Sequence, residues 1–128
     1  MPPILVCFVE DSDLDFELGR MAIQLENPLT RILRAKSCQD GLKLMEDNDP
    51  QLMILDLNLP GCDGFRILKH IAQAIPDRLR RIVVFTTSSN PQDRTRALEL
   101  GVSDFQTKSA DPEEYLQTVR RMMSSSLS

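Results

Sequence analysis

Apolar residues in this chain come in short runs separated by amphipathic stretches. Ile4 to Val9 is one run, Leu52 to Leu55 a second and Arg81 to Thr86 a third, the last rich in β-branched side chains. Short apolar runs bounded by Pro, Gly or charged residues read as buried strands. Thr30 to Ala35 is weaker and carries Arg31 and Arg34, which fits a strand near a sheet edge. Asp104 to Thr107 reads as a short fifth strand.

Between these runs the period changes. Leu14, Leu18, Met21, Ala22 and Leu25 recur at helical spacing and predict an amphipathic helix, closed near Asn27-Pro28, with that stripe as its buried face. Gln39 to Asn48 predicts a second helix, and Gly64 to Ala74 a third with Phe65, Ile67, Leu68 and Ile71 inward and Asp63 at its start. Pro91 to Leu100 predicts a fourth, capped by Ser89 or Asn90 and closed by Gly101. Pro112 to Met123 predicts a fifth, capped by Asp111, and Ser124 to Ser128 is expected to fray.

Strand and helix alternate five times, which predicts an α/β fold: a (βα)5 doubly wound, five-stranded parallel sheet with helices on both faces. The 128 residues are expected to form one domain, with a core from about residue 4 to residue 123. Right-handed crossovers then put the C-terminal end of every strand on one rim.

Composition narrows the function. Hydrophobic residues are 41% and charged residues 27%, and the formal net charge is −4. An acidic chain lacks the basic face of a nucleic-acid binder, so Arg78-Leu-Arg-Arg81 and Arg120-Arg121 read as solvated or partner-docking surface. The N-terminal Met-Pro-Pro has no signal-peptide pattern and the apolar run after it is too short for a bilayer, so a cytoplasmic protein without a membrane partner is expected. Cys7, Cys38 and Cys62 show no metal-ligand spacing. Cys7 reads as a small buried hydrophobe and Cys62 as an exposed loop residue, with a redox role as the lesser alternative.

The rim collects specific polar groups: Glu10 and Asp11 after the first strand, Asp56 and Asn58 after the third, Thr86 at the fourth and Lys108 after the fifth. Carboxylates brought together repel unless a cation sits among them. Oxygen donors without His or Cys favour Mg2+. With a lysine and a hydroxyl added, such a site neutralises a phosphoryl group, and a carboxylate there can accept one as an aspartyl phosphate.

These residues resemble the receiver domains of two-component response regulators. The resemblance rests on Glu10-Asp11, on the block Leu-Asp-Leu-Asn-Leu-Pro-Gly-Cys-Asp-Gly ending at Gly64, and on Thr86 and Lys108, and it spans Ile4 to about Met123. The intervals of 45 residues from Asp11 to Asp56, 30 to Thr86 and 22 to Lys108 fit the family's frame. It implies a flavodoxin-like strand order of 2-1-3-4-5, with Asp56 as phosphoacceptor. Asp11, Asp56 and the Asn58 carbonyl would ligate Mg2+, and Glu10 would act mainly through a water. Lys108 would hold a phosphoryl oxygen and Thr86 would swing its hydroxyl onto another. Phe105 aligns with the family's switch aromatic, and Thr87, Asn58 and Ser88 flank the site where phosphoryl lifetime is tuned.

The wording Asp-Leu-Asn-Leu-Pro-Gly with Phe-Thr-Thr-Ser-Ser-Asn-Pro resembles the single-domain regulators paired with bacterial phytochrome histidine kinases. The resemblance also implies a homodimer through the face of the fourth helix, fifth strand and fifth helix, with Val102, Phe105, Tyr115 and Val119 as candidate apolar contacts, core burial being at least as good a reading of Val119. One departure stands out: Ser109 follows Lys108 where the family usually has proline, often after a cis bond, and since a cis bond to a non-proline costs about 3 kcal/mol the sequence leaves the isomer and the shape of this turn open.

Outside that frame the same residues have plainer readings. Asp13 is a helix cap, Thr86 a strand residue, Lys108 and His70 surface residues, and Met122-Met123 packing residues. Two competing functions remain. An aspartyl phosphatase would need an acid/base Asp where this chain has Asn58, and a degenerate docking module would have lost an acidic or lysine position that this chain keeps.

Overall fold

In the computed structural model, residues 3–127 are described; Met1, Pro2 and Ser128 lie outside them. Five strands form one parallel sheet: β1 (Leu5–Val9), β2 (Arg31–Ala35), β3 (Leu52–Leu55), β4 (Ile82–Thr86) and β5 (Asp104–Thr107). Their spatial order is 2-1-3-4-5, as the resemblance implies. The inner strands β3 and β4 are buried at every residue, while β2 at the edge exposes Arg31.

Alternation along each strand sorts side chains to the two faces. Val6 and Phe8 of β1, Leu52 and Ile54 of β3, and Val83 and Phe85 of β4 share one core with α1 (Asp13–Glu26) and α5 (Pro112–Leu127). Cys7, Val9, Met53, Leu55, Ile82 and Val84 share the other with α2 (Cys38–Asp47), α3 (Phe65–Ala74) and α4 (Pro91–Leu100). No helix among the described residues is long and apolar enough to cross a membrane.

Local chemistry sets the helix ends. Ser12 caps α1 by accepting from Asp15 N (3.2 Å), and Ser37 caps α2 by accepting from Asp40 N (3.2 Å). Asn90 caps α4 ahead of Pro91, and Gly101 closes it at φ 115°, where a side chain would be strained. Asp111 Oδ1 accepts from Glu113 N (3.0 Å) at the start of α5.

Several expectations need correction. Leu14, Met21 and Leu25 are not the buried stripe of α1: they are 70%, 48% and 63% exposed, while Gly19, Ala22 and Ile23 face the core. α1 carries two faces at helical spacing, and the small-residue one wins because Gly19 lies so close to the Phe8 ring that no side chain fits there. Arg81, expected to open the fourth strand, instead ends a 3-10 turn, Pro76–Arg81, and β4 begins at Ile82. The turn's arginines are not simply solvated, since Arg78 donates to Met45 O and to Asn48 O (2.6 Å) at the end of α2, and Arg81 pairs with Asp49.

α5 continues helically to Leu127 and does not fray at Ser124. Val102, Phe105, Tyr115 and Val119 are buried in the chain's own two cores, so they cannot supply the apolar surface expected of a dimer face. Cys38 and Cys62 are joined by a disulfide, which makes Cys62 a crosslinked residue rather than a loop thiol. Cys7 is the free, buried cysteine, as expected.

Candidate functional site

Hydrogen bonds that extend the ladders past the regular strands pin the rim residues. Glu10 N donates to Ala35 O (2.9 Å), Asp56 N to Val9 O (3.1 Å) and Lys108 N to Thr86 O (2.7 Å). Side chains leaving the sheet at these points converge with little freedom.

Lys108 stands at their centre. Its ammonium donates to Glu10 Oε1 (2.5 Å), Asp15 Oδ2 (2.9 Å) and Asp56 Oδ2 (2.9 Å), so all three of its protons are used. The Lys108, Glu10 and Asp56 side chains are almost wholly buried. Burial pushes the Glu10 carboxyl above its usual range, offset in part by Lys108 and by the Ser12 N–H. Burial alone would lower Lys108, but its bonds to Glu10, Asp15 and Asp56 outweigh that and hold its pKa up. Tyr115 is raised by burial and then by the charges of Asp15, Glu10 and Asp56, and its hydroxyl donates to Asp15 O (2.8 Å).

The other carboxylate oxygen of Asp56, Oδ1, accepts from Asn58 N (3.0 Å). Asn58 Nδ2 in turn donates to Thr86 Oγ1 (3.2 Å) and Thr87 Oγ1 (3.4 Å). Ser88 N donates to the same Thr86 oxygen (3.4 Å), and Ser88 Oγ donates to Asp93 Oδ2 (2.7 Å) in α4. Thr86 is fully buried. Phe105 lies inward in the α3/α4-side core, and its carbonyl accepts from Arg94 Nη1 (2.7 Å).

After Asp56 the chain makes a two-stranded ribbon, Asn58–Leu59 against Cys62–Asp63, turned at Pro60-Gly61 with Gly61 at φ 68°. Asp63 Oδ1 accepts from Phe65 N (2.9 Å) to start α3. Gly64 allows the ribbon to close on the rim: a Cβ there would lie 2.7 Å from Leu57 Cα and 3.0 Å from Asp56 O.

One carboxylate oxygen from each of Glu10, Asp11 and Asp56 falls within 4.8 Å of the other two. These are hard oxygen donors, and with Asp15 they outnumber the single Lys108 charge, so the set suits a hard divalent cation. Beside them lies a cavity of about 630 Å3 lined by Asp11, Asn58, Cys62, Asp93 and Arg96 among others. Arg96 stacks 4.0 Å over the Phe65 ring. The Lys108–Ser109 peptide is trans, like every other described bond.

The structure therefore gathers Glu10, Asp11, Asp56, Asn58, Thr86, Thr87 and Lys108 at one edge, with Ser88 one step outward and Phe105 in the core below. Sequence reasoning missed Asp15, which shares Lys108 with Glu10 and Asp56. Its only signal was a place in the first turn of α1, four residues past Asp11.

Residues 6–120 match the response regulator receiver domain. The chain belongs to the response regulator receiver family. Its fold is similar to that of response regulator Rcp1 in a Mn(2+)-bound crystal form, at 29% identity and TM-score 0.84, covering 95% of this chain and 93% of that one. It is also similar to the phosphorylated cyanobacterial phytochrome response regulator RcpA, at 27% identity and TM-score 0.87, covering 99% and 96%. Among curated relatives, the nitrate/nitrite response regulator NarL of Escherichia coli is 29% identical over 93% of this chain. This receiver chain spans 54% of the length of NarL. Protein PilH of Pseudomonas aeruginosa is 24% identical over 92% of this chain and 96% of its own length.

Proposed function

We propose that this receiver takes a phosphoryl group onto Asp56 from a phosphohistidine of a sensor histidine kinase in the cytoplasm. The observation that carries the reading is the Lys108 ammonium held between Asp56 and Glu10 beside a cluster of carboxylates able to share a cation. A carboxylate oxygen of Asp56 attacks phosphorus, the bond from phosphorus to the histidine nitrogen breaks, and the imidazole leaves with that electron pair. Lys108 moves no proton here; it neutralises oxygen charge as the group arrives.

Asp11, Asp56 and the Asn58 carbonyl would hold Mg2+ directly, with Glu10 acting mainly through a water. Bound there, Mg2+ would screen the carboxylates from the incoming phosphoryl oxygens and stabilise the charge they develop. Thr86 then exchanges its Asn58 partner for a phosphoryl oxygen, and Thr87, Ser88 and Asn58 govern access of water to the phosphoryl group. Phe105, buried on β5 with its carbonyl held by Arg94 of α4, is the residue through which this movement reaches α4. Likeness to the phytochrome response regulator RcpA supports a bacteriophytochrome as the kinase.

The test is intact-protein mass after incubation with acetyl phosphate, with and without Mg2+, on the wild type and on Asp56→Asn. A single phosphoryl adduct that needs both Mg2+ and Asp56 is expected. No adduct under any condition from a folded, Mg2+-binding chain overturns the reading.

A further inference from the structure

The Cys38–Cys62 disulfide has no part in the chemistry above. Cys38 is the first residue of α2, and Cys62 stands opposite Leu59 in the ribbon that follows Asp56. The bond therefore ties the start of a helix to the loop that carries Asn58. Cys62 lines the cavity shared with Asp11 and Asn58, and both cysteines line a second groove of about 430 Å3 with Gln39, Gly61, Arg66 and His70. Cys62 is half-buried and presents its sulfur to a reagent from these cavities, whereas Cys38 is buried in the core shared by α2, α3 and α4. Cys7 offers no competing thiol, since it is buried and burial pushes it up to about 11.

The reduced state also has a prepared environment. Asp63 O lies 3.4 Å from Cys62 Sγ and 3.9 Å from Cys38 Sγ, placed to accept S–H from either thiol. Cys38 at the N-terminal end of α2 is the better leaving thiolate, because the free N–H groups there favour negative charge.

We propose that Cys38–Cys62 is a thiol-exchange site whose substrate is a dithiol, and that its redox state sets how firmly the Asn58–Asp63 ribbon is held at the rim. The first thiolate of the dithiol attacks Cys62 Sγ, forms a mixed disulfide and releases Cys38 as thiolate. The dithiol's second thiolate then attacks its own sulfur in that mixed disulfide and releases Cys62. The dithiol leaves as a disulfide, two electrons pass to the protein, and the two cysteine thiolates take protons from water. Loss of the crosslink frees the ribbon from α2, leaving Asn58 less firmly placed beside Asp56 and Thr86. That last link rests on the receiver chemistry proposed above; the exchange itself does not.

Dithiothreitol is the probe, applied to the native full chain. Iodoacetamide labelling after unfolding should add one group to the oxidised protein, at Cys7, and three groups after native reduction, with reoxidation restoring one. Amide hydrogen exchange over residues 57–64 should accelerate about tenfold on reduction while β1 and β3 stay unchanged. Cys38→Ser, and separately Cys62→Ser, should show the faster exchange without dithiothreitol and lose the response to it. The proposal is overturned by a bond that yields only after unfolding, by three labels on the air-oxidised chain, or by unchanged exchange over residues 57–64. Failure of acetyl phosphate to label Asp56 in either redox state would instead overturn the receiver chemistry, and the thiol count and amide exchange would still decide this proposal.

Discussion

Lys108 Nζ sits 2.9 Å from Asp56 Oδ2, joining residues 52 positions apart through two almost wholly buried side chains. The same ammonium holds Glu10 and Asp15, so three carboxylates depend on one cation. Truncation as Lys108→Ala leaves them mutually repelling and unpaired. The metal-free variant should be about 3 kcal/mol or more less stable in urea unfolding, and Mg2+ should narrow the gap. Equal stability of the two metal-free proteins would contradict the charge balance described.

Mg2+ should itself stabilise the wild type. At a hundredfold excess over its Kd the gain is about 2.7 kcal/mol, or a rise in Tm on the order of 10 °C for a chain of this size. Asp11→Asn should lose most of that rise in a thermal scan. A full rise in the variant would place the cation elsewhere.

Glu10 gives the metal-free protein a pH signature. Its folded-state pKa lies above the ordinary value of 4.5, chiefly through burial. Over the interval between the two values the folded state keeps a proton that the unfolded state releases, so this group makes stability fall as pH rises. Glu10→Gln should remove that component, and the difference between the two stability curves should bend above pH 4.5. Parallel curves for the two proteins would count against the assignment.

Thr86→Ala separates loading from response. The hydroxyl is fully buried and accepts from Asn58 Nδ2 and Ser88 N, so its loss should cost about 1 kcal/mol. Phosphoryl uptake from acetyl phosphate should persist. The change in amide exchange at residues 87–100 that accompanies phosphorylation in the wild type should shrink, and an undiminished change would argue against Thr86 as the relay.

β1, β3 and β4 were legible as short apolar runs, β2 and the polar β5 only through their places in the alternation of strand and helix, and the rim residues because Asp56, Thr86 and Lys108 stand at strand ends at spacings that a receiver requires. Asp15 was hidden since an aspartate in a first helical turn looks like a cap wherever it points. On α1 two sets of residues share helical spacing, and only the contact of Gly19 with Phe8 decides which turns inward. Cys38 and Cys62 are 24 residues apart, and their pairing depends on how α2 lies against the ribbon, which no local pattern records. The arginines at 78 and 81 look like free charges until the 3-10 turn brings them to the end of α2.

Gly64 has ordinary helical dihedrals, so it is required for the room it leaves and not for its flexibility. A single added carbon there would press on the main chain of Leu57 and on the Asp56 carbonyl, which no side-chain rotation can relieve. The backbone would have to yield at Asp56, the proposed phosphoryl acceptor. Damage from Gly64→Ala would therefore fall on signalling competence first, in a protein whose two cores remain packed and which a folding assay would pass as healthy.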